Sequence, residues 1–445
     1  MSQRVLTGMF LLLATAAAAQ APSSLAITHV AVVHVENGML LADRTVTMAG
    51  DRVQSVVPGT AAIPQGARVI DGQGKYLIPG LWDMHTHLSY ARSSAFLALI
   101  ANGVTYVRDV GSRLSEIDEW RGEIAVGHLV GPLIVRAGPM LNGREFNRYQ
   151  LAVTNAADAR ATVRALEKAG VDLIKVHRQT PREAYFAVAE EARRLSLPLA
   201  GHIPVTVTPA EASNAGQTTI EHAETLFEGT FTAALNGESL SEAISRWRNS
   251  TAAQELFTTF VKNGTVVDPT LVTGRRAIAW LENQIDPRDK YIAASGLRDP
   301  AVTALRQDAP KLLAERRPVI AELEAVVGQM HRAGVRLVTG TDLAFAILHP
   351  GFSVHDELQA LVDVGLTPAQ ALRAATLNPA QLFPKLDAGD VAAGKRANLV
   401  LLDGNPLEAI RNVGRIRAVV LAGRLYDRAA LGRLLAEAVA QAAVN

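Results

Sequence analysis

The apolar and polar positions change rhythm along the chain. In the first part they come in short alternating runs, and residues 25–35, 45–48, 52–57, 67–71 and 75–78 each read as strands. A turn at Gly50-Asp51 separates the second from the third, and Pro79-Gly80 ends the series. No segment there is long enough for a helix. Beyond Gly80, short apolar runs alternate with helical stretches, the form taken by successive βα units feeding a parallel sheet. The runs at 81–88, 104–110, 133–137, 172–177, 198–203, 218–223, 265–271 and 336–342 read as strands. Residues 156–169 and 181–195 read as helices, the latter with Thr180 as N-cap, Pro181 in the first helical position and Glu183 in the third. Eight strands with helices between them predict a (β/α)8 TIM barrel of the α/β class.

One stretch breaks the alternation. Residues 273–330 are polar and helix-prone, without a strand, and breaks are expected at Pro287, Pro300, Pro310 and Pro318. The stretch is too long for a βα loop. It follows the seventh strand on the side where barrel sites sit, so it reads as a helical excursion over the pocket mouth, with a plain surface insertion as the alternative. Residues 354–377 read as two helices, the second opened by Thr367-Pro368. Strand texture returns at 397–403 and 418–422, with a turn at Gly423. Strands at both chain ends can pair into one satellite domain. The domain plan is a leader at 1–21, half of a small β-sandwich at 22–78, the barrel at 79–384, the other sandwich half at 385–430 and a terminal helix or tail at 431–445.

Composition adds exclusions. The 445 residues are 49% hydrophobic and 20% charged, as in an ordinary globular protein, and aromatics at 5% favour close helix–strand packing over an all-β shell. Lys+Arg 44 balance Asp+Glu 43, so neither nucleic acid nor an anionic surface is indicated. Arg4, the apolar stretch 5–19 and Ala19-Gln20-Ala21 have the form of a secretory signal with its cleavage site. That run is short for a bilayer span and lacks a charged stop. Export to the periplasm or medium, cleavage near Ala21 and no stable membrane association are therefore expected. The chain has no cysteine, which excludes disulfides and thiolate ligands; any metal must be held by histidine and oxygen.

The candidate chemistry lies at the strand ends, where barrels build their sites. His85 and His87, two apart on the first strand, face the same side and can reach one point. The fourth strand ends in Lys175, the fifth in His202, the sixth in His222 and the eighth in Asp342. Taken singly, a strand-end histidine is usually an ordinary residue, Lys175 could snorkel from an edge, and Asp342 could cap a helix. Six ligand-type residues in order on strand ends are hard to obtain without a metal site.

Longer motifs surround these residues. The chain carries Pro79-Gly80-Leu81-Trp82-Asp83-Met84-His85-Thr86-His87 and Gly103-Val104-Thr105-Tyr106-Val107-Arg108-Asp109. Later come His355-Asp356-Glu357-Leu358, Gly365-Leu366-Thr367-Pro368 and Ala375-Thr376-Leu377-Asn378-Pro379-Ala380, and a tail from Ala393-Gly394 to Asp403. Together they resemble the amidohydrolase superfamily of metal-dependent hydrolases, in its imidazolonepropionase-like and prolidase-like branch. Asn398 stands where that family usually has aspartate, in the satellite domain. The resemblance implies that His85, His87 and Asp342 hold one divalent ion and His202 and His222 a second. Zn²⁺ is the default, with Mn²⁺ or Co²⁺ as substitutes. It implies that Lys175 is N-carboxylated and bridges both ions, since a bare ammonium between two dications is electrostatically untenable. The reaction implied is hydrolysis of a carbon–nitrogen bond by metal-activated hydroxide, with Asp342 as general base and then general acid. An N-acyl amino acid, an X-Pro or X-Arg dipeptide or a cyclic amide would serve as substrate.

Further candidates for substrate contact are His177 and Arg178 just past Lys175, Tyr149 with Arg148 in the loop after the third strand, and His355, which serves equally as outer support. A lactonase or phosphotriesterase would use the same centre. A mononuclear deaminase is opposed by Lys175, and a non-catalytic binding protein by the intact ligand set. The partner implied is a small molecule, with homo-oligomerisation left open.

Overall fold

The computed structural model describes residues 24–235, 237–292, 305–343 and 347–444; the expected leader and Pro300 lie outside them. The chain opens with β1 (Ser24–His34), β2 (Met39–Ala49), β3 (Arg52–Pro58), β4 (Arg68–Asp71) and β5 (Tyr76–Pro79). β1 is the hub, antiparallel to β2 and parallel to β4 and then β5. His29, at φ 53°, sits at a register shift that bends this strand.

Ten strands then follow in the α/β region. β6 (Leu81–Thr86), β7 (Val104–Asp109) and β8 (Leu133–Arg136) form one parallel sheet. β9 (Met140–Asn142), β10 (Gln150–Ala152), β11 (Ile174–Val176), β12 (Leu199–Gly201), β13 (Thr219–Glu221), β14 (Val266–Asp268) and β15 (Arg336–Leu337) form a second, in the order β10-β9-β11-β12-β13-β14-β15. Hydrogen bonds tie the sheets on two sides: Asp172 N donates to the Arg136 carbonyl and Met84 N to the Thr339 carbonyl, both at 2.9 Å. The anticipated strands are all present but shorter, and β9 and β10 were not anticipated. Three residues each, they are too short to show a period.

β16 (Leu399–Leu402), β17 (Ile416–Leu421) and β18 (Arg424–Asp427) return to the first sheet, where β16 lies antiparallel to β5 with Leu399 opposite Pro79. The expected sandwich of two facing halves is instead one mixed sheet, ordered β18-β17-β16-β5-β1-β2-β3 with β4 beside β1. The reason is that the two ends of the chain pair edge to edge.

Two helix expectations need correction. Thr180 does not cap the helix Arg182–Arg194; its hydroxyl faces the Leu141 and His177 carbonyls at 3.0 and 2.8 Å, and Pro181 takes the cap position without a side-chain bond. Pro318 does not break its helix, which runs unbroken as Ala309–Arg332. An internal proline costs about 3 kcal/mol, and burial of Leu323, Val326, Val327 and Met330 farther along the same helix offsets it. Pro310 lies in the first turn, where a missing N–H is harmless. Thr367 does cap the helix Pro368–Ala374, in a reciprocal box with Gln370.

Candidate metal centre

Every residue of β6 is buried, and the strand delivers His85 and then His87 to its C-terminal end. Both rings converge on one carboxylate: His85 Nε2 lies 3.4 Å and His87 Nε2 3.3 Å from Asp342 Oδ1. The remaining imidazoles continue the cluster. His222 stands 4.6 Å from His85 and 4.8 Å from His202, ring centre to ring centre, and His177 lies 4.5 Å from His202. Lys175, on β11, is completely buried and acts electrostatically on His85, His177, His202 and His222. The structure thus gathers the six residues expected from the strand ends and adds His177.

A second layer holds these groups in place. Asp83 accepts from Thr341 N at 3.0 Å, from Thr341 Oγ1 at 2.6 Å and from His85 N at 3.2 Å, so it fixes the chain on both sides of the centre. His87 Nδ1 faces the Gly111 carbonyl at 3.2 Å and His222 Nδ1 the Thr270 hydroxyl at 2.8 Å, which leaves each Nε2 free to point inward. His222, Thr270 and Asp342 all adopt left-handed backbone, at φ 64°, 48° and 60°. Such strain in non-glycine residues concentrates at functional sites. His85 Nδ1 lies 3.1 Å from Glu221 Oε2. Glu221 and Asp268 come close enough to His85 to suggest a further cation site, but the buried Arg108 guanidinium already occupies it, 2.8 Å from Glu221 Oε2 and 3.4 Å from Asp268 Oδ2.

The protonation states suit ligation. Burial pushes His85 and His202 well below the ordinary imidazole value, lowers His222 and brings His177 to about 3, so the rings are neutral donors. Burial would raise the Asp342 carboxyl, but positive charge at His85 and the hydrogen bond from His87 outweigh it and hold that group well below the usual carboxylate range; with the rings neutral, that charge is the one a bound cation would supply. Burial brings Lys175 down to about 8, with Glu221 opposing and Arg108 assisting, so a neutral amine is accessible. Lys175 Nζ, both ring nitrogens of His85 and His202 Nδ1 are buried without a hydrogen-bond partner. Each orphaned group costs about 1–3 kcal/mol. Unpartnered side chains gathered around one ionised carboxylate fit a divalent-metal centre.

A cavity of about 1010 Å³ opens from His202, His222 and Asp342 and runs between the helices Leu240–Arg248, Leu271–Leu281 and Ala309–Arg332. The 273–330 stretch therefore supplies part of its wall. Of the further candidates, Tyr149 packs edge-on against Tyr90 at 4.4 Å, and Tyr90 against His87 at 6.2 Å. Arg148 donates to the Tyr149 hydroxyl at 2.7 Å. Arg178 turns to Glu228 at 3.2 Å. His355 is the misplacement: its Nε2 meets the Asn102 carbonyl at 2.9 Å, just before β7 begins and so at the opposite end of the strands from this cluster. Asp83, Arg108, Glu221, Asp268 and Thr270 had no role assigned from sequence. For the four charged ones the signal was a charge inside an apolar strand, which burial obliges to find a partner; Thr270, beyond the end of β14, carried none.

Fold and site define an α/β protein built around a candidate metal centre at the ends of parallel strands. More particularly, the chain belongs to the amidohydrolase family, whose family model matches residues 76–426. It is similar to adenine deaminase 2 of Agrobacterium fabrum, 43% identical over 76 residues, which cover 17% of this chain and only 13% of the deaminase. Among solved structures, a protein from Bifidobacterium longum described as a prolidase is 27% identical, with a TM-score of 0.69 over 94% of this chain and 100% of the other. A bottromycin amidohydrolase shares the fold at 23% identity, with a TM-score of 0.78 over 95% of this chain and 91% of the other.

Proposed function

We propose that the protein is a binuclear metal-dependent amidohydrolase that cleaves an amide bond of a small molecule. The observation that carries this reading is Lys175, whose amine is buried without a partner among the imidazoles. His85, His87 and Asp342 would hold one ion, His202 and His222 the other, and carboxylated Lys175 would bridge them. Bound divalent ions, zinc by default, would supply an activated water near neutral pH and polarise the scissile carbonyl. Asp342 takes the proton from the attacking water and delivers it to the leaving nitrogen. Its ionised state and its place beside both His85 and His87 suit it for the first step. Neutral His177, beside His202, would donate a hydrogen bond to a substrate oxygen.

The same proposal takes the two parallel sheets as one (β/α)8 barrel, a reading supported by the hydrogen bonds at both junctions. The terminal strands form its satellite domain, and residues 1–21 direct export. Substrates under this reading are N-acyl amino acids, X-Pro or X-Arg dipeptides and cyclic amides. A mononuclear deaminase is the second reading, favoured by the 76-residue likeness to an adenine deaminase. The zinc-loaded protein should be assayed against these amides and adenine, with metal content measured alongside. Amide hydrolysis with two ions per chain supports the first reading. Ammonia from adenine with one ion supports the second, and neither activity with no bound metal would sink both.

A further inference from the structure

We infer that the substrate carries a bulky, uncharged apolar substituent, seated in the lobe between the helices Leu271–Leu281 and Ala309–Arg332; this rests on the amidohydrolase reading above. The cavity's volume of about 1010 Å³ lies at the upper end of the roughly 300–1,000 Å³ usual for small-molecule sites. A small dipeptide at the ligands would leave most of it unfilled.

The walls say what fills the rest. Away from His202, His222 and Asp342, the apolar side of the lining is Leu240, Ala277, Val319, Ile320 and Leu323, while Glu224, Ser239, Ser241, Thr273, Glu315 and Arg316 line the rest. Of these only Leu323 is buried by the protein itself; Val319 and Ile320 keep part of their apolar surface open to the lobe. Covering that surface is favourable in proportion to its area. Gly274 keeps this wall thin, because a Cβ there would come within 3.2 Å of Ile320 Cδ1 and Cγ1. The lobe is continuous with the metal-ligating residues, so the group that covers it belongs to a molecule bound there.

Charge argues the same way. Outside the lining, Arg178 is paired with Glu228, Arg275 with Glu324 and Asp363, and Arg276 with Asp286 and Asp289. Among the described lining residues the cation left is Arg316, which is exposed beside the exposed Glu315. An anionic group between the apolar side chains would be desolvated without a buried cationic partner, which is costly, and the lining carboxylates Glu224 and Glu315 are exposed, away from those side chains' buried end. An apolar group loses nothing there.

The test uses the zinc-loaded full chain and two probe series. One is N-acyl glycines from acetyl to decanoyl, which lengthens the acyl side; the other is N-acetyl glycine, leucine, phenylalanine and tryptophan, which enlarges the amine side. In at least one series kcat/KM should rise about threefold to fourfold for each methylene the lobe buries. Ala277→Phe, which narrows the lobe, should shift the preference toward smaller members. Hydrolysis that is flat or falling with size in both series overturns the inference and leaves the amidohydrolase reading standing. Absence of hydrolysis in both series and of the dipeptides sinks that reading, and the substrate class with it.

Discussion

A lysine amine buried among imidazoles, with no acceptor in reach, persists by changing its charge, its partner or both. For Lys175 the consequence is measurable. If carboxylated Lys175 bridges two ions, Lys175→Ala should lower bound zinc from about two ions per chain to one or none by elemental analysis, because that oxygen donor is gone. A variant that keeps both ions would show that the histidines and Asp342 suffice. Asp342→Asn should cut kcat by about 10²–10⁴, the usual worth of general acid–base catalysis, with a much smaller change in KM. Near-normal turnover in steady-state kinetics would remove Asp342 from the proton path. The clustering of these six residues was legible in the sequence because each member follows an apolar run and the runs recur in order. Its supports were not legible. Arg108 meets Glu221 and Asp268 across more than a hundred residues of chain, and nothing in a strand's own pattern says which buried charge will meet which. His355 misled for a related reason: closeness in sequence to the eighth strand says nothing about which way a helix turns its side chains.

At the scale of elements, the helix Leu271–Leu281 connects the centre to the rest of the protein. Its first N–H groups, from Leu271 and Val272, donate to the two oxygens of buried Glu357 at 3.0 and 2.6 Å. Just before them stands Thr270, which orients His222. Burial raises the Glu357 carboxyl from the ordinary 4.5 to about 8, outweighing both N–H donors. Between those pH values the folded protein keeps a proton that the unfolded chain has lost, so this group's contribution to stability declines as pH rises from about 4.5 through 8. Glu357→Gln should make the urea midpoint less dependent on pH over that range. It should also cost about 1–3 kcal/mol at low pH, because the amide nitrogen cannot accept the second N–H. A variant as pH-sensitive as the parent would move the effect to another acid, such as Asp83, which burial raises to about 7. The proline expectation failed at this scale because Pro318 marks the loss of one hydrogen bond, whereas the fate of the helix depends on burial roughly one to three turns further along.

At the scale of the molecule, ligand binding and chain topology both feed stability. If the centre binds metal only when folded, saturation at a thousandfold excess over Kd adds about 4 kcal/mol. Exhaustive chelation should therefore lower the thermal midpoint, and readdition of zinc should restore it. An unchanged midpoint would mean that the fold does not depend on an occupied centre. Ending the chain at residue 398 removes β16–β18 and the helix Arg428–Val444, strips the pairing edge from β5 and takes Leu431, Leu434 and Ala438 out of the core. That variant should be insoluble or lack a cooperative unfolding transition by circular dichroism. The return of the chain to its first sheet was legible from the strand texture at both ends, but edge-to-edge pairing was not, because register between distant strands leaves no local trace.

That pairing sets a clock. β5 cannot gain its neighbour until the ribosome has made β16, about 320 residues later. At roughly 5–20 residues per second the delay is on the order of 15–60 s. Throughout it the nascent chain presents an unpaired strand edge, the kind of surface on which chains find one another. A circular permutant that begins in the loop before β16 would synthesise both partners early and shorten the exposure. Yield of soluble protein from such a permutant, compared with the natural order, would therefore depend on when the sheet closes and not on how stable it finally is.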